Sequence, residues 1–468
     1  MRRGGKNTGE SLVPPVKGEN RGVIFAGGKR RGMKGKFMSR RLHIMKSFDD
    51  LEKLLYQHSD NRIIPGLERI SRLLSRMDNP QDSFRSVHIV GTNGKGSTGA
   101  FISSVLSASG YKTGFYSSPH LSSPGERFMI DGQELPADSW IEAVNFAVSH
   151  ILPDEDLPSY FELLTAGAFE LARESGIEAG VVEAGLGGKL DATNTMNNTA
   201  CTVIASVSVD HTEYLGPTLE GIAGEKFAVV RENVPAVFSG VDESLADMFT
   251  DTCREKGALP FIVSRQARVE NVRVTAEGNT FDFHAPKLEL RNLRTGLIGG
   301  YQVKNAALAL SAISFLRDSF PKITEDSIRA GMLKAKWPGR LEIVSRNPLI
   351  ILDGGHNLDG VKNLCRAVRE LWPERHFAVV YAAMRDKNYA GCLEVICEEL
   401  RPDLYLSCVP GMARSASPEE LARAAGENIA GTFASPSEAI RKAIDDGQES
   451  ILVCGSLYLI GKVRNEIS

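Results

Sequence analysis

Apolar positions along the chain fall into short continuous runs alternating with helical stripes. From Met45 onward, Phe48 to Tyr56 and Gly66 to Met77 read as helices, with Leu67, Ile70, Leu73 and Leu74 on one face, and Arg85 to Val90 is a short apolar strand. The pattern then predicts a helix over Lys95 to Ser109, a strand over Lys112 to Tyr116 and helices over 138 to 150 and 160 to 174. A strand over Ala179 to Glu183 follows, then one over Cys201 to Val209 ending in Asp210-His211, and a helix over Leu219 to Val230. Residues 267 to 297 alternate apolar and polar positions, which predicts a β-rich segment, and Tyr301 to Phe315 reads as a helix. Trp337, Pro338 and Gly339 then break the pattern. Beyond them a fresh alternation of strands and helices runs through 349–353, 357–372, 376–382, 388–399, 403–407, 417–427, 436–446, 450–454 and 457–465. Strands alternating with helices at these lengths predict an α/β chain with mainly parallel sheets in two successive domains.

The stretch from His88 to Thr98, HIVGTNGKGST, gives the first of these domains a chemistry. A strand feeds into Gly91, Thr92, Asn93, Gly94, Lys95, Gly96, Ser97 and Thr98, and a helix follows. Gly91, Gly94 and Gly96 leave room for backbone N–H groups to converge on phosphate oxygens, Lys95 adds a cation, and the helix N-terminus adds its dipole. The loop is expected to hold a nucleoside triphosphate, with Ser97 the hydroxyl nearest Mg²⁺. It departs from the common G-x-x-x-x-G-K-[ST] pattern, since Ile89 stands in place of the first glycine and Gly96 in place of the hydroxyl residue. Glu183, at a strand tip before a glycine-rich break, is placed for metal, and the apolar strand leading to Asp210-His211 resembles the arrangement that orders Mg²⁺ in P-loop enzymes.

Composition narrows the class. The chain has 468 residues, 42% hydrophobic and 24% charged, with no apolar run of the roughly 18 residues a membrane span needs. Its seven cysteines are scattered without a C-x-x-C pair, so neither a disulfide framework nor a zinc site is expected, and a reducing cytoplasm fits best. Residues 1–44 carry twelve Lys/Arg against two Glu, leaving 43 basic and 56 acidic residues in the rest. That basic stretch has no apolar period and is expected to be a disordered extension upstream of a start at Met38 or Met45, with no nucleic-acid role assigned to it.

The strings GTNGKGST (91–98), YSSPHL (116–121), ERFMIDG (126–132), VVEAGLGG (181–188), DH (210–211), EK (225–226), WPGRLE (337–342), LDGGHN (352–357) and GSLYL (455–459) occur in an order that closely resembles the folylpolyglutamate synthase/dihydrofolate synthase family of the Mur ligase superfamily. The resemblance implies a P-loop ATP-binding domain over 45–335 and a smaller Rossmann-like glutamate-ligase domain over 336–468. It implies an ATP-dependent ligase, in which a dihydropteroate or reduced-folate carboxylate takes the γ-phosphoryl group and L-glutamate displaces phosphate from the acyl phosphate, with no membrane partner and a monomeric enzyme. By resemblance the phosphate loop binds ATP, Ser118, Glu183 and His211 bind Mg²⁺, and Asn305, Arg340 and Asp353 hold ATP across the cleft. Lys226 matches a lysine carbamylated in the family, His356 and Ser456 lie in motifs of the glutamate side, and His120 and Arg127 match positions near the pterin. Tyr301, the run after Lys226, and Gly355 with Leu358 depart from the family pattern. A cell-wall amino-acid ligase of the same superfamily and a simple P-loop NTPase or kinase are the rival expectations. The second α/β domain argues against the latter.

Overall fold

The computed structural model describes residues 45–50, 66–152, 155–240, 242–426 and 428–467. The expectations for residues 1–44, and for most of the helix over 48 to 56, lie outside the described residues. An eight-stranded sheet comes first, built from β1 (Arg85–Val90), β2 (Thr113–Tyr116), β3 (Phe128–Ile130), β4 (Gln133–Glu134), β5 (Ala179–Glu183), β6 (Thr199–Ile204), β7 (Pro235–Phe238) and β8 (Leu259–Ile262). Its order is β4-β3-β2-β5-β1-β6-β7-β8, with β3 and β4 antiparallel at one edge and every other pairing parallel. The central strands β5 and β6 are buried along their whole length, as a parallel sheet with both faces covered requires.

A three-stranded antiparallel meander follows, β9 (Arg268–Thr275), β10 (Gly278–Ala285) and β11 (Leu288–Thr295), which is the β-rich segment expected from the alternation. Its inward residues Phe281, Phe283, Leu290 and Leu293 join one core with the helices Lys95–Ala108 and Gly300–Leu316.

A second, six-stranded sheet is built from β12 (Glu342–Arg346), β13 (Leu349–Leu352), β14 (Ala378–Tyr381), β15 (Asp403–Ser407), β16 (Ile429–Phe433) and β17 (Ser450–Cys454), in the order β12-β13-β17-β14-β15-β16. Only the edge strand β12 runs antiparallel. The architecture is thus a mainly parallel α/β sheet followed by a separate C-terminal α/β domain. Among the described residues no helix is long and apolar enough to cross a membrane.

Most predicted elements lie within a few residues of those observed, and the exceptions have local causes. The strand expected over Cys201 to Val209 stops at Ile204, because the next residues bond to the phosphate loop instead of to a neighbouring strand. Thr92 N–H donates to Ser206 O at 2.6 Å, and the hydroxyl of Thr92 exchanges hydrogen bonds with the backbone of Ser208, at 3.1 Å each. Asp210 and His211 therefore sit in a loop and not on a strand tip. Strands β3, β4, β7, β8, β12 and β16 were not expected. The first four have two to four residues each, β12 buries no side chain fully, and β16 keeps most of its side chains exposed, so none of these patterns rises above that of a loop.

Candidate active site

The loops at the C-terminal ends of both parallel sheets face one cavity of about 1310 Å³. In open α/β sheets this is where ligands bind, beside the strand at which the order reverses. β1 is that strand here. It is flanked by β5 and β6, and it delivers the phosphate loop into the helix Lys95–Ala108.

Gly94 caps that helix at φ +86°, and a Cβ there would meet Asn305 Oδ1 at 2.5 Å. At Gly96 a Cβ would meet the Trp337 ring at 2.6 Å, so the departure from the usual hydroxyl residue makes room for an indole from the inter-domain connection. Lys95 Nζ lies 3.6 Å from Glu183 Oε1 and donates to Thr92 O at 3.3 Å. Ser97 is nearly buried, lines the cavity, and accepts a hydrogen bond from Gln302 Nε2 at 3.1 Å; Gln302 in turn accepts from Asn305 Nδ2 at 2.9 Å. The cavity brings together Thr92, Asn93, Gly94, Lys95, Gly96, Ser97, Ser118, His120, Glu183, His211, Asn305, Arg340, Asp353 and His356. Gly91, Thr98, Arg127, Lys226 and Ser456 stand behind that lining.

The electrostatics around Glu183 bear on metal. Its carboxylate is 4% exposed, and burial pushes its pKa up to about 7 against the pull of Lys95 and Arg340. A divalent cation would offset that penalty. Partial desolvation at the cleft mouth, with Lys387 nearby, draws the pKa of the half-exposed His211 down to about 4, which leaves its imidazole neutral and able to ligate. Among the described residues no three His, Cys, Asp or Glu side chains converge on a common point. One carboxylate, one imidazole and the Ser118 hydroxyl would therefore supply a partial shell for Mg²⁺, which usually keeps water and phosphate oxygens as its remaining ligands. The donor set fits such an ion.

Lys226 is 3% exposed, donates from Nζ to Gly91 O at 3.0 Å, and is brought down to about 7 by burial and by Lys95. It braces the phosphate loop from behind.

Across the cavity, Asp353 Oδ2 accepts from Leu341 N–H at 2.9 Å and from the Tyr301 hydroxyl at 3.2 Å, and Oδ1 accepts from Gly355 N–H at 2.8 Å. Tyr301, a departure from the family pattern, thus spends its phenol on this carboxylate. Arg340 donates to Gly339 O at 3.0 Å and lines the cavity between Glu183 and Asp353. The ring of His356 is held by Nδ1 donating to Gly354 O at 2.8 Å, which leaves Nε2 as an acceptor, and burial draws its pKa down to about 4. On the far wall His120 Nδ1 accepts from Arg127 Nε at 3.0 Å, with the Arg127 guanidinium 5.8 Å above the Tyr160 ring.

Sequence reasoning overlooked Gln302, Asn357, Asp359 and Lys387. Asn93 of the phosphate loop bonds to Asn357 and Asp359, and Asp210 is an ion pair with Lys387. Both oxygens of Asp210 are engaged by these partners and by its own neighbour His211 N–H, so the acid expected beside Mg²⁺ is turned toward the second sheet.

Two protein families match along the chain, the Mur ligase middle domain over residues 89–313 and the Mur ligase glutamate ligase domain over 339–457. A dihydrofolate synthase/folylpolyglutamate synthase of Bacillus subtilis is 31% identical over 430 residues, covering 90% of this chain and 99% of that protein. The structure of Escherichia coli FolC in complex with DHPP and ADP superposes with a TM-score of 0.80 at 32% identity, over 89% of this chain and 97% of that one. The bifunctional folylpolyglutamate synthase/dihydrofolate synthase of Yersinia pestis, complexed with AMPPNP and Mn ion, gives 0.79 at 27% identity, over 91% and 98%. Near-complete coverage by relatives above 30% identity, with both domains matched in order, means that the chain belongs to the folylpolyglutamate synthase/dihydrofolate synthase family of Mur ligases.

Proposed function

We propose that this ATP-dependent, amide-forming ligase joins L-glutamate to the carboxylate of dihydropteroate or of a reduced folate. The observation that carries the reading is the single cavity in which a glycine-rich phosphate loop with Lys95 and Glu183 faces Arg340, Asp353 and His356 of the second sheet. Relatives solved with ADP, DHPP or AMPPNP and Mn ion support ATP, a pterin acceptor and a divalent metal as its ligands. Phosphoryl transfer to a carboxylate gathers several anionic oxygens, so the protein's task is alignment and charge neutralisation.

Backbone N–H groups from Asn93 to Ser97 and the Lys95 ammonium grip the phosphates and stabilise charge as the γ-phosphoryl group passes to the acceptor. Ser118, Glu183 and His211 hold Mg²⁺, which when bound neutralises phosphate charge. Asn305, Arg340 and Asp353 hold the rest of the nucleotide. His120, oriented by Arg127, faces the acceptor. His356 Nε2, an acceptor at about neutral pH, faces the incoming amine of glutamate, with buried Ser456 behind that wall; attack on the acyl carbon releases phosphate, and a proton leaves the nitrogen. In this reading residues 45–335 form the nucleotide domain and residues 336–468 the glutamate domain, and one chain lines the whole cavity.

Phosphate release by the purified protein with ATP, Mg²⁺ and L-glutamate tests this, with dihydropteroate, tetrahydrofolate or a UDP-muramyl substrate as acceptor. Release is expected only with glutamate and a pteroyl acceptor together. Equal release from ATP alone would replace the ligase with a simple NTPase, and preference for the UDP-muramyl substrate would move the enzyme to the cell-wall branch.

A further inference from the structure

Along one wall of the cavity and just behind it, a polar seam joins the loops of the two sheets. Asn93 Nδ2, in the phosphate loop, donates to Asn357 Oδ1 at 3.2 Å and to Asp359 Oδ2 at 2.8 Å. Asn357 returns the bond from Nδ2 to Asn93 Oδ1 at 3.1 Å, and the same nitrogen reaches Asp210 Oδ2 at 3.0 Å. Lys387 Nζ closes the seam 2.9 Å from Asp210 Oδ1, which also accepts the backbone N–H of His211 at 2.8 Å. The Asp210 and Lys387 side chains are 11% and 17% exposed, so this ion pair is largely withdrawn from water.

Placement separates two kinds of residue in the seam. Asn93, Asp210, His211 and Asp359 line the cavity, whereas Asn357 and Lys387 do not. Side chains outside the lining act on a substrate only through the residues they hold. His211 needs holding, because its φ of +52° is a left-handed conformation that side chains larger than glycine adopt at a cost. Asp210 supplies the hold by accepting the His211 N–H, and it is itself fixed from the second sheet.

We propose that Asn357 and Lys387 are positioning residues of the ligase reaction: through Asp210 and Asn93 they fix the His211 segment and the phosphate loop in the arrangement that binds the metal-nucleotide. This rests on the ligase reading above. The seam makes assembly of the nucleotide site depend on the loops of the second sheet, although the site's own glycines and lysine belong to the first. Removing one partner of a largely buried ion pair strands the other charge, while removing both leaves an uncharged contact, so the two losses should not multiply.

The test uses the full chain with Lys387→Met, Asp210→Asn, the two combined, and the reversed pair Asp210→Lys with Lys387→Asp. Steady-state kcat and KM are measured for each substrate, together with calorimetric affinity for ADP at fixed Mg²⁺ and the thermal midpoint. Each single variant is expected to lose about 10- to 100-fold in kcat and to weaken ADP binding in parallel, as loss of a group supporting a metal ligand does. The combined variant should fall no further than the worse single one, and the reversed pair should recover part of the loss. Losses that multiply would overturn the seam. So would a rise in KM for L-glutamate alone in Lys387→Met, which would make this lysine a substrate contact, or a lowered thermal midpoint with kcat and ADP affinity of the folded protein intact. Wild-type protein that ignores glutamate and acceptor would overturn the ligase reading and not the seam, which the ADP affinities then decide by the same cycle.

Discussion

The two parallel sheets meet the shared cavity by different means. At its phosphate loop the first offers mostly backbone: a helix N-terminus, a glycine at φ +86° and close approaches at Gly94 and Gly96 that exclude a Cβ, with Lys95, held by Thr92 O and beside Glu183, as the cation. The second offers side chains, each locked by its own main chain. Asp353 is held by Leu341 and Gly355 N–H, Arg340 by Gly339 O and His356 by Gly354 O. Both sheets have the same parallel geometry, so the division of labour resides in the loops. Backbone suits phosphates, whose oxygens accept from many directions, and oriented side chains suit the parts of a nucleotide or an amino acid whose hydrogen-bonding groups have fixed directions.

The comparison makes unequal demands on substitutions. The largest effect is expected from Lys95→Ala, which removes the one side-chain cation of the loop and should lower kcat by about 10²–10³-fold or more, read as glutamate-dependent phosphate release. A greater loss from His356→Ala would break the comparison, since the second sheet would then carry the chemistry.

Next comes Lys226. Its amine is buried against Gly91 O with a pKa brought to about 7, so at neutral pH much of it is the free amine, whose nitrogen can attack CO₂ and lose a proton, and the carbamate would turn a cation into an oxygen ligand. Lys226→Ala should cost about 10- to 100-fold and regain part of that with added acetate or formate, and Lys226→Glu should outperform Lys226→Arg. The reverse order, with no rescue, would mean that the positive charge itself is used.

Gly96→Ala is the backbone counterpart and should act on stability first, costing about 1–3 kcal/mol of overpacking against the Trp337 ring. A lowered thermal midpoint together with weaker ADP binding would support a loop defined by close approach. An unchanged protein would show that the indole yields freely.

The smallest effect concerns His88 in β1, fully buried and hydrogen-bonded to Thr193, whose pKa is held well below the usual value by burial and then by Arg231. The folded state keeps it neutral, and the unfolded chain protonates it near its ordinary value of about 6.5. Stability from this group is therefore complete above that pH and is lost as pH falls below it. The thermal midpoint of His88→Gln should fall less steeply between neutral and mildly acidic pH than that of the wild type. Parallel curves would remove His88 from the account.

What could be read in advance follows the range of the interactions. β1, the helix after Lys95 and the meander declare themselves because their patterns are long or their punctuation strong. Asp210 was misplaced because Ser206 and Ser208 leave the sheet to bond Thr92, a choice no local pattern records. The seam is less legible still: Asn93 meets Asn357 across 264 positions and Asp210 meets Lys387 across 177, so spacing carries no trace of either. Lys226 was found only because its string resembles that of known relatives, and its burial against Gly91 belongs to the fold.

Trp337 has a practical consequence. Its ring packs against Gly96 and lies 5.1 Å from Phe115, on the wall of the cavity itself. The other two tryptophans, Trp140 and Trp372, sit among Phe48 and Phe128 and beside Phe377, off that wall. The protein thus carries its own optical reporter at the phosphate loop, and a change in indole emission during a nucleotide titration can be assigned to one residue without attaching a dye.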